Sequence, residues 1–286
     1  MSIPERTRPQ EREPFGARLR RAMDTRGPLC VGIDPHASLL ADWGLNDDLG
    51  GLERFTHTVV DALADRVAVL KPQSAFFERF GSRGVAVLER AVADARSAGA
   101  LVLTDVKRGD IGSTMAAYAT AYLDPDSPLF SDAVTVSPYL GFGSLRPALD
   151  AARASGSGVF VLALTSNPEG AEVQRATAAG GVSVAQAVLG HIARENAGAE
   201  PLGSVGAVVG ATLGRADADL AVNGPLLAPG LGAQGAVPAD LPRVFGDAVR
   251  NVLPSISRGV LAHGPSAAAL RESAARETGR LREVLG

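Results

Sequence analysis

The sequence contains one cysteine and no long hydrophobic run, and both absences exclude whole classes of protein. A single cysteine, Cys30, in 286 residues cannot form an intrachain disulfide or build a cysteine-rich zinc site. Because it lies within the apolar run LCVGI, we expect its thiol to be buried. No apolar run approaches the roughly 20 residues that a membrane-spanning helix needs, and the N-terminal segment lacks the apolar core of a signal peptide. We therefore expect a cytoplasmic protein that begins with a flexible tail at residues 1–14.

The chain also lacks a strong excess of charge of either sign. Its formal net charge is −3 and its pI is about 5.9, so no bulk field attracts a polyanion, and nucleic acid is not an expected partner. Aromatic residues make up only 5% of the chain, but 46% of it is hydrophobic, which is enough for a large core. The histidines show no spacing typical of a metal site. They are His36, His57, His191 and His263.

Short apolar runs recur along the chain with little polar alternation, as is typical of parallel strands covered on both faces. Amphipathic stretches such as 51–66 and 84–99 separate them and are predicted to be helices. This alternation, without a linker that divides the chain, predicts a single (β/α)8 TIM barrel domain over residues 15–286. An open, doubly wound sheet is the alternative. The eight predicted strands are 29–34, 67–73, 100–107, 133–138, 159–165, 205–211, 225–233 and 252–258.

A long insertion, residues 167–190, follows the fifth predicted strand. It is rich in glycine, alanine and threonine. Its composition fits either a mobile loop that covers a site or a disordered surface loop.

Charged residues cluster at the ends of the second and third predicted strands. The run LVLTDVKRGDIGST places Asp105 and Lys107 on one face of a strand, with Asp110 after it, and VAVLKPQ contributes Lys71. Active sites of such barrels lie at the carboxyl ends of the strands. An exposed ion pair is the alternative explanation, and it would contribute little stability. Burying several charges is costly unless each is paired, so we interpret the cluster as a functional site.

The motif DVKRGDIGST closely resembles the D-x-K-x-x-D signature of orotidine 5′-phosphate decarboxylases. The segment KPQSAFFE resembles the second strand of that family's longer bacterial branch. Further similarity runs through TSNP, VVGAT, PGLGAQG and SRG, so that the resemblance covers nearly all of the chain from about Phe15 onward. It implies a TIM barrel that needs neither a metal ion nor an organic cofactor.

The resemblance also implies catalytic residues and a shared active site. An alternating array of Lys71, Asp105, Lys107 and Asp110 would surround the scissile carboxylate, and Lys107 would donate the proton. Asp110, Ile111 and Thr114 would reach into the neighbouring subunit's site, which implies a homodimer.

Four further positions match the family's nucleotide-binding residues. Asp34 would accept ribose hydroxyls, Ser166 would bind the pyrimidine, and Gln234 and Arg258 would hold the phosphate. All but Arg258 have an alternative explanation. Asp34 could cap a helix, TSNP could be an ordinary turn, and the glycine pattern at 230–235 weakly resembles a dinucleotide fingerprint.

By resemblance, the expected function is conversion of orotidine 5′-phosphate (orotidine monophosphate) to UMP and CO2, the last step of de novo UMP biosynthesis. One rival is a magnesium-dependent sugar-phosphate decarboxylase or aldolase with the same barrel. Lys71 argues against this rival, because those enzymes have a glutamate ligand there and an ammonium group repels a divalent cation. The other rival is a nucleotide-binding barrel without catalytic activity.

Overall fold

All eight predicted strands form in the computed structural model, which describes residues 12–214 and 216–286. They pair in parallel and in chain order, and the last strand returns to pair with the first. The predicted closed barrel is therefore confirmed, and the open-sheet alternative is wrong. The strands are β1 (Cys30–Ile33), β2 (Val69–Pro72), β3 (Leu101–Arg108), β4 (Ala133–Val136), β5 (Gly158–Leu164), β6 (Val205–Val209), β7 (Leu226–Pro229) and β8 (Val252–Ile256).

Helices surround the barrel and bury their apolar faces against the outside of the strands. In α3, for example, Leu52, Phe55 and Val59 recur at helical spacing and are fully buried. The helices of the described residues are α1 (Phe15–Arg26), α2 (Ala37–Asp42), α3 (Leu49–Leu63), α4 (Ala75–Glu78), α5 (Gly81–Ser97), α6 (Gly112–Leu123), α7 (Arg146–Ser155), α8 (Gly170–Gln174), α9 (Val184–Glu195), α10 (Leu241–Phe245), α11 (Arg258–Leu261) and α12 (Ala267–Leu285).

A second apolar core fills the barrel interior. Helix α1 closes its lower end with Phe15, Leu19 and Met23, and the Phe15 ring meets the Phe160 ring edge to face at 5.9 Å between centroids. Each strand contributes one buried side chain to this layer. These residues are Cys30, Val69, Leu103, Ala133, Phe160, Val208, Leu227 and Leu253.

The alternation of side chains along a strand decides what lies above this apolar layer. Two residues further along each of the first four strands come Gly32, Lys71, Asp105 and Thr135. Strands β2, β3 and β4 therefore direct polar side chains into the carboxyl-terminal mouth of the barrel, above a hydrophobic floor, whereas β1 has the side-chain-free Gly32 there.

The insertion after β5 contains two helices. Helix α8 and the start of α9 occupy much of residues 167–190, and the Ser183 hydroxyl caps α9 by accepting from the Gln186 amide at 3.1 Å. The alternative of a disordered surface loop is therefore wrong. Whether this segment covers the site stays a prediction.

Residues just before α1 contact the barrel wall. Asp132 is almost fully buried and forms ion pairs with Arg12 and with Arg18, the latter at 2.6 Å. The rest of the predicted flexible tail, residues 1–11, lies outside the described residues. Among the residues that the structure does describe, no helix is long and apolar enough to cross a membrane.

Candidate active site

Lys71 and Asp105 form a buried ion pair in the mouth of the barrel. The Lys71 Nζ atom lies 3.0 Å from Asp105 Oδ2 and 3.9 Å from Asp34 Oδ1. The side chains of Lys71 and Asp105 are only 7% and 8% exposed. The exposed ion pair considered from the sequence is therefore wrong for Asp105, because its carboxylate is buried. Its two lysine partners lie on β2 and β3.

Lys107 approaches the same carboxylate from the solvent side. Its Nζ donates to Asp105 Oδ1 at 2.6 Å, while 44% of its side chain is exposed. Its backbone has φ +47°, a left-handed conformation that is unfavourable for a residue with a long side chain. Asp105 thus lies between two ammonium groups, one buried and one open to the mouth of the barrel.

The electrostatics of the pair keep both groups charged. Burial by itself raises the pKa of Asp105, but the charges of Lys71 and Lys107 outweigh it and hold the pKa well below its ordinary value. Burial likewise disfavours the charged form of Lys71, yet Asp105 and Asp34 raise the pKa of Lys71 above its ordinary value. At neutral pH the mouth therefore contains a fixed carboxylate and a fixed ammonium in a site of low solvent access.

Sequence reasoning did not identify two residues of the cluster, Thr135 and Gln73. Thr135 donates to Asp105 Oδ1 at 2.7 Å and accepts from the Lys107 backbone amide at 2.9 Å. Gln73, with its amide turned to suit its neighbours, accepts from Lys107 Nζ at 3.3 Å and donates to Asp105. The alternation of side chains along the fourth strand could have identified Thr135 as inward-facing, but only the register of β3 with β4 places it beside Asp105.

Asp34 lies next to this cluster and does not cap a helix. Helix α2 is preceded by His36 as its N-cap, so the capping alternative for Asp34 is wrong. Its Oδ1 atom is buried and has no hydrogen-bond partner among the described residues, and the same is true of Ser257 Oγ. A side chain at Gly32 would come within 2.8 Å of Asp34 Oδ2 and 2.9 Å of the Ser257 Cβ, so both line one small space.

The loop after β7 meets the loop after β5. The Ser166 hydroxyl donates to Gln234 Oε1 at 3.3 Å, which brings together two residues that lie 68 positions apart in the chain. Gly230 adopts φ +111°, a conformation that favours glycine, and it is followed by a loop rather than an α-helix. The glycine pattern therefore lacks the helix that a dinucleotide fingerprint requires.

Arg258 stands at the start of α11, immediately after β8. It is exposed and forms no ion pair with any residue in 12–214 or 216–286. Its guanidinium group is therefore available to an anionic ligand at this end of the barrel.

Asp110 does not join the charged cluster of its own chain. Its carboxylate accepts from the Ile111 backbone amide at 2.8 Å, and it has no ion pair within the described part of the chain. Ile111 is 61% exposed, and Thr114 on α6 is exposed as well. Tyr139 and Leu140, which follow β4, are 77% and 52% exposed, so this rim presents apolar side chains to solvent.

Three of the four histidines contact residues that do not belong to the charged cluster. His36 stacks edge to face on Phe76 and His191 stacks on Phe142. His57 lies 2.9 Å from Asp61 on the surface of α3. No group of three or more histidine, cysteine, aspartate or glutamate side chains with a metal-binding arrangement occurs among the residues that were described.

Comparison with known proteins identifies the family. The model of the orotidine 5′-phosphate decarboxylase / HUMPS family matches residues 27–273. The chain belongs to this family. A Streptomyces coelicolor protein named orotidine 5′-phosphate decarboxylase is 75% identical over 265 residues, which are 92% of this chain and 95% of that protein. One from Salinispora arenicola with the same name is 69% identical over 274 residues, 96% of this chain and 99% of the relative.

Solved structures agree with this assignment. A crystal structure from Streptomyces avermitilis, described as a candidate orotidine 5′-phosphate decarboxylase, is 71% identical in sequence and matches with a TM-score of 0.95. The match covers 96% of this chain and 97% of that chain. The family resemblance predicted from the motifs is therefore confirmed, and these relatives carry the name orotidine 5′-phosphate decarboxylase.

Proposed function

We propose that this protein converts orotidine 5′-phosphate to UMP and CO2. The observation that carries the proposal is the Lys71–Asp105–Lys107 cluster at the mouth of the barrel, in which Lys71 and Asp105 are buried. The chain's relatives at 75% and 69% identity are named orotidine 5′-phosphate decarboxylases. The substrate class follows from the family. The proposed roles of individual residues follow from the geometry of the mouth.

The chemistry suits a site made of fixed charges. Breaking the bond between C6 and the carboxylate leaves its electron pair on C6 as an sp2 carbanion, which the pyrimidine ring cannot delocalise. The protein must therefore stabilise the carbanion electrostatically. Lys107 is exposed toward the mouth and hydrogen-bonded to Asp105, so its ammonium can stabilise the developing charge and then transfer one proton to C6. CO2 leaves, and Lys107 regains its proton from water.

Asp105 destabilises the bound substrate more than it destabilises the transition state. Its low pKa keeps it ionised, so it opposes the negative carboxylate of the substrate but not the neutral CO2 that leaves. Only such differences between ground state and transition state increase the rate. Lys71 keeps Asp105 charged and adds positive potential beneath the reacting carbon.

The remaining predicted residues surround the space where the rest of the nucleotide would lie. Asp34 has a buried oxygen without a hydrogen-bond partner among the described residues, which suits a ribose hydroxyl donor. Ser166 and Gln234 already contact each other across two loops, where a pyrimidine and a phosphate could be held. Arg258, which has no ion pair within the described part of the chain, supplies a cation for the phosphate at the loop after β8, where barrels often bind phosphate.

The site would be completed by a second subunit. Asp110 has no cationic partner among residues 12–214 and 216–286, and it adjoins a rim of exposed apolar residues that includes Ile111, Tyr139 and Leu140. Apolar surface of this kind is typical of an interface. We propose a homodimer in which Asp110, Ile111 and Thr114 reach the neighbouring active site.

One assay tests the proposed reaction against both rivals. Purified protein is mixed with orotidine 5′-phosphate in EDTA, and the absorbance of the substrate is followed over time. A decarboxylase of the proposed type consumes the substrate at the same rate with and without EDTA. Loss of activity in EDTA would favour the metal-dependent rival, whereas UMP binding without substrate consumption would favour the catalytically silent barrel.

A further inference from the structure

Thr135 connects the backbone of Lys107 to the carboxylate of Asp105. Its hydroxyl is part of both hydrogen bonds, accepting from Lys107 N at 2.9 Å and donating to Asp105 Oδ1 at 2.7 Å. Thr135 is 1% exposed, so no solvent competes for either bond. The hydroxyl oxygen of Thr135, on the neighbouring strand β4, thus bonds to both charged residues.

The backbone of Lys107 needs such a contact. Its φ of +47° is one of two left-handed conformations at residues other than glycine in the part of the chain that the structure describes. Such a conformation persists only where neighbouring groups hold it, and the Lys107 amide donates to the Thr135 hydroxyl. The pairing of β3 with β4 is irregular between Thr104 and Arg108, which includes this position.

We propose that Thr135 is a positioning residue for decarboxylation, which holds the Lys107 ammonium and the Asp105 carboxylate in their reactive arrangement. This inference rests on the proposed function of the same site. Thr135 acts through the two charged side chains and need not contact the substrate. Small displacements of reacting groups reduce turnover steeply, because the near-attack geometry is lost while most binding contacts remain.

Steady-state kinetics of three variants test the proposal. Thr135→Val keeps the shape of the side chain but removes both hydrogen bonds, and we expect kcat to fall on the order of 10- to 100-fold with little change in KM. Thr135→Ser restores the hydroxyl, and we expect most of the turnover to return. Thr104→Val is the matched control, because Thr104 is also fully buried but bonds Ser131 at 2.6 Å, away from the charged cluster. It should retain the parent kcat.

Two companion measurements separate positioning from structural damage. The unfolding midpoint and the affinity for UMP are measured on every variant, and the proposal expects Thr135→Val to match Thr104→Val in both. If Thr135→Val does not fold, Thr135→Ala and Thr104→Ala replace the pair with the same expected contrast.

The possible failures have different signatures. A kcat for Thr135→Val that equals that of the parent or of Thr104→Val would overturn the positioning role, and so would a Thr135→Ser variant as slow as Thr135→Val. If the parent protein itself releases no CO2 from orotidine 5′-phosphate, the proposed function fails instead.

Discussion

At the scale of single residues, the site depends on charges that are buried but paired. Asp105 contacts Lys71, Lys107 and Thr135, so its burial does not neutralise it. The motif predicted which charged residues matter, because opposite charges two positions apart on a strand must share a face. The motif could not show which polar neighbours complete the cluster. Thr135 and Gln73 are common residue types whose meaning depends on which strand lies beside them.

Lys107→Ala tests the proposed proton donor. We expect the variant to lose turnover by several orders of magnitude, because both the stabilising charge and the transferred proton disappear. Binding of UMP should stay detectable by calorimetry, since Asp34 and Arg258 are unchanged. A near-parent rate in the Lys107→Ala protein would remove the central assignment.

Cys30 gives a prediction of pH dependence. Burial raises the pKa of its thiol from 9.0 to about 12, so the native state keeps the proton over a range where the unfolded chain loses it. The contribution of the thiol to stability is therefore fully present below pH 9 and is lost as the pH rises toward 12. We expect the difference in unfolding free energy between the parent and Cys30→Ala to fall by up to about 1.4 kcal/mol per pH unit in this range.

Urea denaturation at several pH values measures this difference. Comparing parent with Cys30→Ala cancels the contributions of titrating groups that do not interact with the thiol. A difference that stays constant above pH 9 would contradict the predicted protonation of the thiol.

At the scale of elements, the strands were predicted well, whereas the segment after β5 was not. Strand β7 ends at Pro229 rather than at 233, because Gly230 turns the backbone with φ +111°. Residues 183–195 contain a capping serine, a glutamine three positions later and apolar residues at helical spacing, which together predict the helix that forms there. The surrounding glycine and alanine content obscured this signal.

Asp132 ties several elements together, and its removal should destabilise the fold. One carboxylate oxygen pairs with Arg12 and Arg18, and the other accepts from the Val102 amide at 2.9 Å and lies 3.6 Å from Arg96. Asp132→Ala leaves the buried Val102 amide without this acceptor and removes the carboxylate that pairs with Arg12 and Arg18, so we expect a loss of about 3–5 kcal/mol in the free energy of unfolding.

An exposed ion pair provides the control for this variant. Asp24 pairs with Arg20 at 2.9 Å and is 55% exposed, so Asp24→Ala should cost no more than about 1 kcal/mol. Urea denaturation measures both. Equal losses in the two variants would show that the buried carboxylate does not tie these elements together.

At the scale of the whole molecule, one barrel supplies most of a site but leaves Asp110 outside its own cluster. Mixing Lys107→Ala and Asp110→Ala subunits tests whether the second subunit completes it. Each protein alone should be inactive, whereas a heterodimer contains one site with both residues intact. We expect about half of the parent activity per heterodimer, measured on dimers verified by two affinity tags. Verified heterodimers without activity would contradict a shared site.

The sequence by itself determined the barrel, the family and the charged residues of the site, because strand periodicity and the DVKRGD motif are local properties of the chain. Only the tertiary structure decided that Asp105 is buried between two lysines, that Asp34 caps no helix and that Thr135 hydrogen-bonds to both Lys107 and Asp105. The physical reason is that these contacts join strands distant in the chain. Their distances depend on the register in which the closed barrel aligns those strands.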